Sequence, residues 1–507
     1  MATDTTNRSK TIAKNTIVLY IRMIFVLGVA LYTSRTVLEV LGVEDYGMMN
    51  VVGGIVSMLG FFNGAMISST QRFFSYAIGQ NDTQQLCLNY STILVIQAGL
   101  ALLILLLAET VGLWFVKNYL VIPQERLTAA IWVYQFSIGT FIISMMQVPF
   151  TAMIITHERM DAFAFISIAE ILMKLLIVIA LPWVRSDKLI TYMGLIFLVV
   201  LLTFIAYVVY TRTRFKYVKY IKEKNKALFK TLIGYMGWNL WGNAAAVIMN
   251  QGVNILINLF FGPAVNAARA IAYQVQGAVS QLVGNFQLAM NPQIVKSYAA
   301  GDLEYMHNLI IRGSKLSFFL VFILALPVSM EAEFLLSIWL KEVPTYATQF
   351  TILVMALSCI DSFSGSLMVA AQASGKIKVY QSVVGGLLIL NLPLSYVALK
   401  LGADPMATMY VAIFISLIAL YSRLRIITPL VGLKAKKFVS NSILPSLMVA
   451  TASVAISLAI KHSLPRQSIY ASLLMLFCTV ITVVTFTALL GLTKQERIFI
   501  KMKALKR

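Results

Sequence analysis

Long apolar runs follow one another through almost the whole of this 507-residue chain. A helix that crosses a bilayer needs about 20 mostly apolar residues, because the hydrocarbon core is ~30 Å thick. Transmembrane β-strands are only about ten residues long and alternate in polarity, which these runs do not. Only 12% of the residues are charged, whereas soluble domains carry about 25%. The sequence therefore predicts an all-α polytopic membrane protein.

The runs divide into fourteen predicted membrane spans. They lie at 14–34, 46–67, 88–113, 127–150, 161–183, 188–211, 232–260, 264–290, 311–330, 345–371, 380–400, 406–427, 441–461 and 468–491. The second and eighth spans are rich in glycine and asparagine, which indicates a face turned toward protein or water rather than lipid.

Lysine and arginine are distributed unevenly between the two sides of these spans. With the amino terminus inside, the inner segments hold 29 of the 41 cations and the outer loops hold nine. Cytoplasmic loops carry the excess of positive charge, so both termini are predicted to be cytoplasmic. The densest basic run, TRTRFKYVKYIKEKNKALFK at 211–230, is therefore predicted to be a cytoplasmic linker. The net charge of +21 thus fits orientation signals and contacts with anionic lipid headgroups, and no nucleic-acid partner is predicted.

Three pairs of similar segments, each about 220 residues apart, indicate an internal duplication. In the first pair, YAIGQNDTQQLCLN (76–89) resembles YAAGDLEYMHN (298–308). In the second, a cation is followed four residues later by an aromatic residue: Arg159 and Phe163, then Lys376 and Tyr380. The third pair is the outer-turn glycines Gly42 and Gly262. The duplication predicts a first lobe at 1–211, a basic linker at 212–231, a second lobe at 232–427, and two extra spans with a basic tail at 428–507. Two pseudo-symmetric lobes of six spans are typical of transporters, whose substrate site lies between the halves near the membrane midplane.

The charged side chains within predicted spans that we single out as candidates are Arg22, Glu170, Lys174, Arg269 and Asp361. Charges in a bilayer are costly and usually face a cavity or a partner. Glu170 and Lys174 are four residues apart, in the order that favours an ion pair within one helix. They are either a self-neutralising structural pair or part of an ion-coupling site. Asp361, with serines nearby, is either a binding group for a coupling cation or proton or a buried hydrogen-bonded aspartate.

Neither Arg22 nor Arg269 has an acidic residue within one helical turn. Arg22 and Arg269 each lie close enough to a helix end to snorkel toward the interface, which leaves a structural role open. The interpretation that we favour is a pair of cavity-facing cations that hold an anionic group of a substrate. A guanidinium suits phosphate because its planar fork makes paired charge-assisted hydrogen bonds.

A stripe of amide side chains follows one face of the seventh predicted span. Its members are Asn239, Asn243, Asn250 and Asn254, at gaps of four, seven and four residues, which places them on one helical face. The eighth span continues the pattern with Tyr273 and Gln276. Amides next to aromatic rings suit sugar hydroxyls, although amides also join helices within a membrane by hydrogen bonds.

No set of residues in the sequence is typical of a catalytic or metal site. The three histidines and three cysteines are scattered, without the spacing of metal ligands. No glycine-rich loop with a lysine indicates an ATPase. The sequence therefore predicts no enzyme activity and no cofactor, apart from a coupling Na⁺ or H⁺.

Two stretches of the first half resemble the polysaccharide-unit (Wzx-like) flippases of bacteria. They are LGVEDYGMMNVVGGIVSMLGFFNGAMISSTQRFFSYAIGQND (41–82) and VPFTAMIITHERMDAFAFISIAEILMKL (148–175), the second with its Pro, Glu-Arg-Met and aromatic order. These flippases belong to the multidrug/oligosaccharidyl-lipid/polysaccharide (MOP) exporter superfamily, and the resemblance extends over essentially the whole chain. It implies a MATE-like fold of two six-span lobes with two further spans.

The resemblance implies a transporter of undecaprenyl-pyrophosphate-linked oligosaccharides, moved from the cytoplasmic to the periplasmic leaflet for surface polysaccharides such as O-antigen or capsule. Such flippases alternate between inward-open and outward-open states, and cavity cations neutralise the pyrophosphate. By this analogy, the cations expected to bind the pyrophosphate are Arg22, Arg269, Arg35 and Arg72. The resemblance also implies a monomeric transport unit in the bacterial cytoplasmic membrane, with membrane lipids and polysaccharide polymerase machinery as partners.

Two other functions stay open at this point. An ion-coupled drug or small-molecule exporter of the same superfamily would need acidic residues in the first lobe, but the first span has none and carries Arg22 instead. A membrane glycosyltransferase or polymerase would need an acid, base or metal site facing one leaflet, commonly in a large loop. The predicted outer loops are short, which argues against such an enzyme.

Overall fold

The computed structural model describes residues 2–57, 59–119, 123–222, 225–340, 342–463, 468–493 and 496–497. In this part of the chain the regular structure is helical and no strand occurs, which confirms the all-α prediction. Twelve helical segments among the described residues are long and apolar enough to cross a membrane. The predicted basic tail beyond residue 497 lies outside the described residues.

The described residues form seventeen α-helices, numbered in chain order. They are α1 (Ala2–Ser57), α2 (Gly60–Gly79), α3 (Thr83–Leu107), α4 (Leu113–Tyr119), α5 (Leu127–Thr156), α6 (Met160–Ala180), α7 (Lys188–Arg214), α8 (Lys226–Ala299), α9 (Leu303–Met330), α10 (Ala332–Trp339), α11 (Ala347–Asp361), α12 (Ser364–Ser374), α13 (Lys378–Lys400), α14 (Ala407–Val431), α15 (Ala435–Phe438), α16 (Leu444–Ser463) and α17 (Ile469–Phe486). Short π-helical segments follow α3, α15 and α17, at Ala108–Gly112, Val439–Ile443 and Thr487–Gly491.

The fourteen predicted spans correspond to these helices with two differences in how the segments divide. The second predicted span, at 46–67, straddles the end of α1 and the start of α2, and it is not among the twelve strongly apolar segments. The seventh and eighth predicted spans both lie in α8 and are counted as one segment, because its two halves follow each other directly at Gly262. Both differences involve a span that is rich in glycine and asparagine.

Gly42 and Gly262 interrupt the two longest helices. α1 has 56 residues and α8 has 74, and straight helices of those lengths would measure roughly 80 and 110 Å. Each is instead two helices that meet at a glycine with a φ of 81° and an extended ψ, 169° at Gly42 and −179° at Gly262. This region of backbone space is essentially restricted to glycine, which explains why both predicted outer turns carry it.

The internal repeat extends to the capping of equivalent helices. Asp82 caps α3 by accepting a hydrogen bond of 2.8 Å from the backbone N–H three residues later, and Asp302 caps α9 in the same way at 3.2 Å. The chain enters both caps through a residue with positive φ, Asn81 or Gly301. The sequence repeat is therefore also a repeat of local structure.

The chain divides into two compact units, Met1–Asn243 and Ala244–Arg507. In the first unit, α5 packs against α2, α3 and α7, and α1 packs against α6. In the second unit, α11 packs against both α9 and α14, and α17 packs against α9. The apolar core of the second unit includes the fully buried Ile257 and Phe350.

The boundary between the units falls inside α8. In the first turns of this helix, the Tyr235 ring meets the Phe73 ring edge-on at 5.1 Å, and Asn239 donates a hydrogen bond of 2.9 Å to Ser69. The sequence predicts a second lobe from residue 232 onward, whereas these turns pack with the first unit.

We expect Gly262→Ala to destabilise the protein, because a residue forced into this backbone region costs about 1–3 kcal/mol. Gly277→Ala is the matched control in the same helix, where no atom lies within 4 Å of an added Cβ and alanine is the better helix former. In thermal unfolding of the detergent-purified protein, the midpoint should fall for Gly262→Ala and stay or rise for Gly277→Ala. Equal midpoints for the two variants would contradict a strained turn at Gly262.

Candidate functional site

Arg269, in the second half of α8, is the most deeply buried of the predicted substrate-binding cations, with 2% of its surface exposed. Its guanidinium donates hydrogen bonds to the side-chain oxygens of Asn254 and, at 3.1 Å, of Asn250. Its central carbon lies 4.2 Å from the centre of the Tyr273 ring. Among the described residues, no carboxylate pairs with it and its Nε has no hydrogen-bond partner. The structure thus gathers four predicted site residues into one cluster.

Helical periodicity and one glycine position this cluster. Asn250 and Asn254 are one turn apart before Gly262, and Arg269 and Tyr273 are one turn apart after it. Residues four apart share a helical face, and the break at Gly262 allows the two faces to meet. The local sequence therefore builds a cation site from two consecutive helical segments.

The asparagine stripe divides between two environments. Asn239 is 1% exposed and bonds to Ser69 on α2, and Asn243 donates to the backbone carbonyl of Asn239 at 2.9 Å. Asn239 therefore joins α8 to α2, and Asn243 bonds within its own helix, whereas the other two amides bond to Arg269. Gln276 is half-buried seven residues after Arg269, on the same helical face.

Arg22 lies in α1, which packs against α6 and α7. Its guanidinium carbon is 4.9 Å from the centre of the Phe163 ring, at the start of α6. Its Nε is buried and has no hydrogen-bond partner in the described part of the chain. Glu170 and Tyr207 are near enough for electrostatic attraction, and the Tyr207 hydroxyl lies 3.4 Å from the Ser167 hydroxyl. Arg22 is therefore a cation supported by an aromatic ring inside the first unit.

Glu170 and Lys174 form an ion pair on α6, with 2.6 Å between Lys174 Nζ and Glu170 Oε1. Both side chains are partly exposed, 23% for Glu170 and 33% for Lys174. Each side chain neutralises the charge of the other, which agrees with a structural role. An ion-coupling role for these residues stays a prediction.

Asp361 lies at a break in the tenth predicted span, because α11 ends at Asp361 and α12 begins at Ser364. Its carboxylate accepts a hydrogen bond of 2.5 Å from the Ser416 hydroxyl on α14. Arg423, further along α14, donates to the hydroxyls of Ser364 at 2.8 Å and Tyr380 at 3.2 Å. Ser362 and Phe363 keep right-handed helical backbone angles, so the helix is only slightly interrupted at this point. The carboxylate inside a predicted span makes Asp361 a candidate coupling residue.

The other two predicted cations have different surroundings. Arg35 is exposed, and its guanidinium pairs with Glu39, one turn later in α1, at 3.0 Å. Arg72 lies in α2, with its guanidinium carbon 4.6 Å from the centre of the Phe73 ring and 4.7 Å from that of Tyr76. Arg35 thus has an acidic partner, and Arg72 lies among aromatic rings.

Arg126 forms a clamp that the sequence does not predict. It donates to Asp45 at 3.0 and 2.5 Å and to Asp187 at 2.5 Å, and so joins three loops predicted to lie outside. Burial raises the pKa of Asp187, but hydrogen bonds from the Ile190 N–H and from Arg126 outweigh it and leave the pKa below its ordinary value. These partners are 81 and 61 residues from Arg126, so no local pattern indicates them.

The chemistry of these clusters is suited to binding. No group of three or more His, Cys, Asp or Glu among the described residues could hold a metal ion. Arg269 and Arg22 instead place positive charge inside apolar helices, beside amide and aromatic groups. Guanidinium groups bind phosphate strongly, and amides and aromatic rings suit sugars.

We expect Asn254→Leu to destabilise the protein, because it leaves the Arg269 guanidinium buried with one acceptor fewer. An unsatisfied buried donor costs about 1–3 kcal/mol, and more when it is charged. Asn285→Leu is the control, since the Asn285 amide donates to a carbonyl of its own helix. The unfolding midpoint should fall for Asn254→Leu alone.

The double variant Asn254→Leu/Arg269→Leu should recover part of that loss, since it removes the unsatisfied charge together with its acceptor. A double variant as unstable as Asn254→Leu, measured in the same thermal unfolding experiment, would contradict the coupling between these side chains.

Comparison of the sequence with protein-family models and with curated proteins gives no match. The fold, in contrast, matches solved structures. An outward-facing multidrug resistance MATE family transporter of the MOP superfamily aligns with 83% of this chain and 96% of its own, at a TM-score of 0.72 and 11% identity. The MATE transporter ClbM in complex with Rb⁺ aligns with 83% of this chain and 94% of its own, at a TM-score of 0.70 and 13% identity.

A third structure is a MOP superfamily transporter from Pyrococcus furiosus, whose reversed binding-pocket polarity is described as suggesting a different function. It covers 83% of this chain and 96% of its own, at a TM-score of 0.71 and 11% identity. At such low identities the likeness shows the fold alone. The all-helical chain therefore has the MATE-like fold of the MOP superfamily transporters.

Proposed function

We propose that the protein is a membrane transporter that moves an undecaprenyl-pyrophosphate-linked oligosaccharide from the cytoplasmic to the periplasmic leaflet for surface polysaccharide synthesis. It would act by alternating access, as a monomeric unit in the bacterial cytoplasmic membrane. The MATE-like fold supports the transport part of this proposal. The observation that carries the choice of substrate is Arg269, a buried guanidinium held by amides rather than by a carboxylate.

The surroundings of Arg269 position the guanidinium but do not neutralise it. A charge taken out of water is costly to leave unpaired, and a carboxylate would offset that cost if the role were only structural. Two asparagine oxygens engage part of its five N–H donors, and Nε has no partner among the described residues. A pyrophosphate supplies both the missing negative charge and the missing acceptors.

Arg22 supports the same substrate class in the first unit. The Phe163 ring attracts the guanidinium without carrying a charge, and the nearby Glu170 is already paired with Lys174. We assign Arg22 to an anionic group of the substrate, and Arg72 to contact with the headgroup at the predicted cytoplasmic end of α2. Arg35 has weaker support, because Glu39 already pairs with it.

Further side chains are proposed to bind sugar and to couple transport to an ion. The sugar-binding residues are Asn239, Asn243, Asn250, Asn254, Tyr273 and Gln276, with the strongest support for those beside Arg269. Asp361 is the proposed coupling residue for H⁺ or Na⁺, because its carboxylate lies within a predicted span and accepts a hydrogen bond from Ser416. Glu170 and Lys174 are the second candidates for coupling.

Ion-coupled export of a drug or other small molecule is the second candidate function. It is favoured by the solved neighbours, one of which is described as a multidrug resistance transporter, and by the acidic break at Asp361. Against it, the first predicted span carries Arg22 and no acidic residue. The Pyrococcus furiosus neighbour, with its pocket of reversed polarity, is a precedent for a different function on this fold.

We expect purified protein in liposomes to speed the movement of an undecaprenyl-pyrophosphate oligosaccharide between leaflets, followed by the accessibility of the glycan to an external reagent. Arg269→Ala should slow this movement roughly 10- to 100-fold, because it removes charge-assisted hydrogen bonds. Arg269→Lys should recover only part of the rate, since lysine keeps the charge but not the planar fork. Arg185→Ala, at an exposed loop position, is the matched control.

Movement at the wild-type rate by Arg269→Ala would contradict the phosphate-binding role. If wild-type protein leaves the glycan in place under both H⁺ and Na⁺ gradients but exports a cationic dye from the same liposomes, the second candidate function is supported instead.

A further inference from the structure

A cavity of about 580 Å³ lies between α3 and the basic linker of the first unit. Its lining includes Ser91, Thr92 and Val95 on α3, and Lys222, Lys226 and Phe229 on the linker and the start of α8. The wall is mostly apolar, but two ammonium groups border it. None of these residues belongs to the arginine clusters or to the Asp361 break.

The linker that forms one wall is fixed against the helices beneath it. Three contacts hold it: the Lys219 N–H donates to Cys87 Sγ at 3.4 Å, the Ile221 N–H donates to Ser91 Oγ at 2.8 Å, and the Tyr217 hydroxyl lies 2.5 Å from His157 Nε2. The His157 ring also stacks on Phe215, with 4.2 Å between ring centres. The described linker residues 215–221 are therefore held against the rest of the first unit beside the cavity.

The topology predicted from the loop charges puts the cavity at the cytoplasmic side of the membrane. The 211–230 segment carries eight Lys or Arg residues against one acidic residue, and α3 starts at Thr83 after a loop predicted to be cytoplasmic. Val95 lies twelve residues into α3, roughly 18 Å along its axis. Val95 is 50% exposed and Phe229 is 40% exposed. The cavity thus offers cations at headgroup level and apolar side chains at the depth of acyl chains.

We propose that this cavity binds an anionic phospholipid of the cytoplasmic leaflet. The phosphate meets Lys222 and Lys226, and the upper acyl chains lie against Val95 and Phe229. In the described part of the chain, neither ammonium group pairs with a carboxylate. Basic pockets beside membrane helices on the cytoplasmic side bind anionic headgroups. A soluble anion would leave the apolar wall uncovered, and a neutral lipid would leave the two charges unmatched.

Lipid binding at this position has a structural consequence. The linker contacts α3 and continues into α8 at Lys226, so a lipid that contacts both Lys222 and Val95 holds the start of α8 against α3. The proposal concerns a phospholipid of the surrounding membrane and does not rest on the identity of the transported substrate.

The test is native mass spectrometry of the full chain in detergent, titrated with phosphatidylglycerol or with phosphatidylcholine of the same acyl chains. Because each lysine near an anionic headgroup contributes about fivefold in affinity, Lys222→Gln/Lys226→Gln should bind phosphatidylglycerol roughly 30-fold more weakly. Lys216→Gln/Lys230→Gln removes the same two charges from exposed positions that do not line the cavity and should bind almost normally. Val95→Trp fills the cavity without a change in charge and should also weaken binding.

Four results would overturn the proposal. They are equal loss in the two lysine pairs, equal binding of phosphatidylcholine by the wild type, full binding by Val95→Trp, and stronger retention of undecaprenyl phosphate than of phosphatidylglycerol in a manner that depends on Lys222 and Lys226. The last result would assign the cavity to the transported lipid instead of a membrane phospholipid.

Discussion

Hydrocarbon offers no hydrogen-bond partner to a polar group, and most of this structure follows from that constraint. Backbone groups are satisfied inside helices, so each departure from helical geometry needs a local reason. Gly42 and Gly262 leave the helix at predicted outer turns, with a backbone conformation that glycine accepts. The junction of α11 and α12 after Asp361 keeps helical backbone angles, and Ser416 and Arg423 supply polar contacts to side chains there. The glycine breaks shape the fold, whereas the polar side chains at this junction mark a candidate site.

The same constraint separates two kinds of charge within the helices. Glu170 and Lys174 neutralise each other, and so do Lys315, which is 2% exposed, and Glu496, at 2.8 Å. Burial raises the pKa of Glu496, but the hydrogen bonds it accepts from Lys315 and from the Thr493 N–H outweigh this effect and leave the pKa below its ordinary value. Arg269 is held by neutral amides, which orient its charge without cancelling it, as the proposed binding of an anionic substrate requires.

Span positions and the repeat were predictable because they depend on local, additive properties: run length, loop charge and turn residues. The cluster at Arg269 was partly predictable, since residues four apart share a face. Asn239 and Asn254 nevertheless look equivalent in the sequence, although one bonds to Ser69 and the other to Arg269. Arg423 lies near the predicted cytoplasmic end of the twelfth span and is one of the predicted inner cations, but it reaches side chains of two other helices. Periodicity indicates which face a residue occupies and does not indicate which helix lies opposite.

The hydrogen bond between the Lys219 N–H and Cys87 Sγ gives the molecule a chemical reporter. Cys87 is 5% exposed, and the linker backbone lies against its thiol, so an alkylating reagent reaches the sulfur only when the linker leaves α3. With Cys359 and Cys478 replaced by serine, the labelling rate of the remaining thiol therefore counts linker departures. That labelling rate would report how often the segment between the sixth and seventh predicted spans moves away from α3. The measurement needs no labelled substrate.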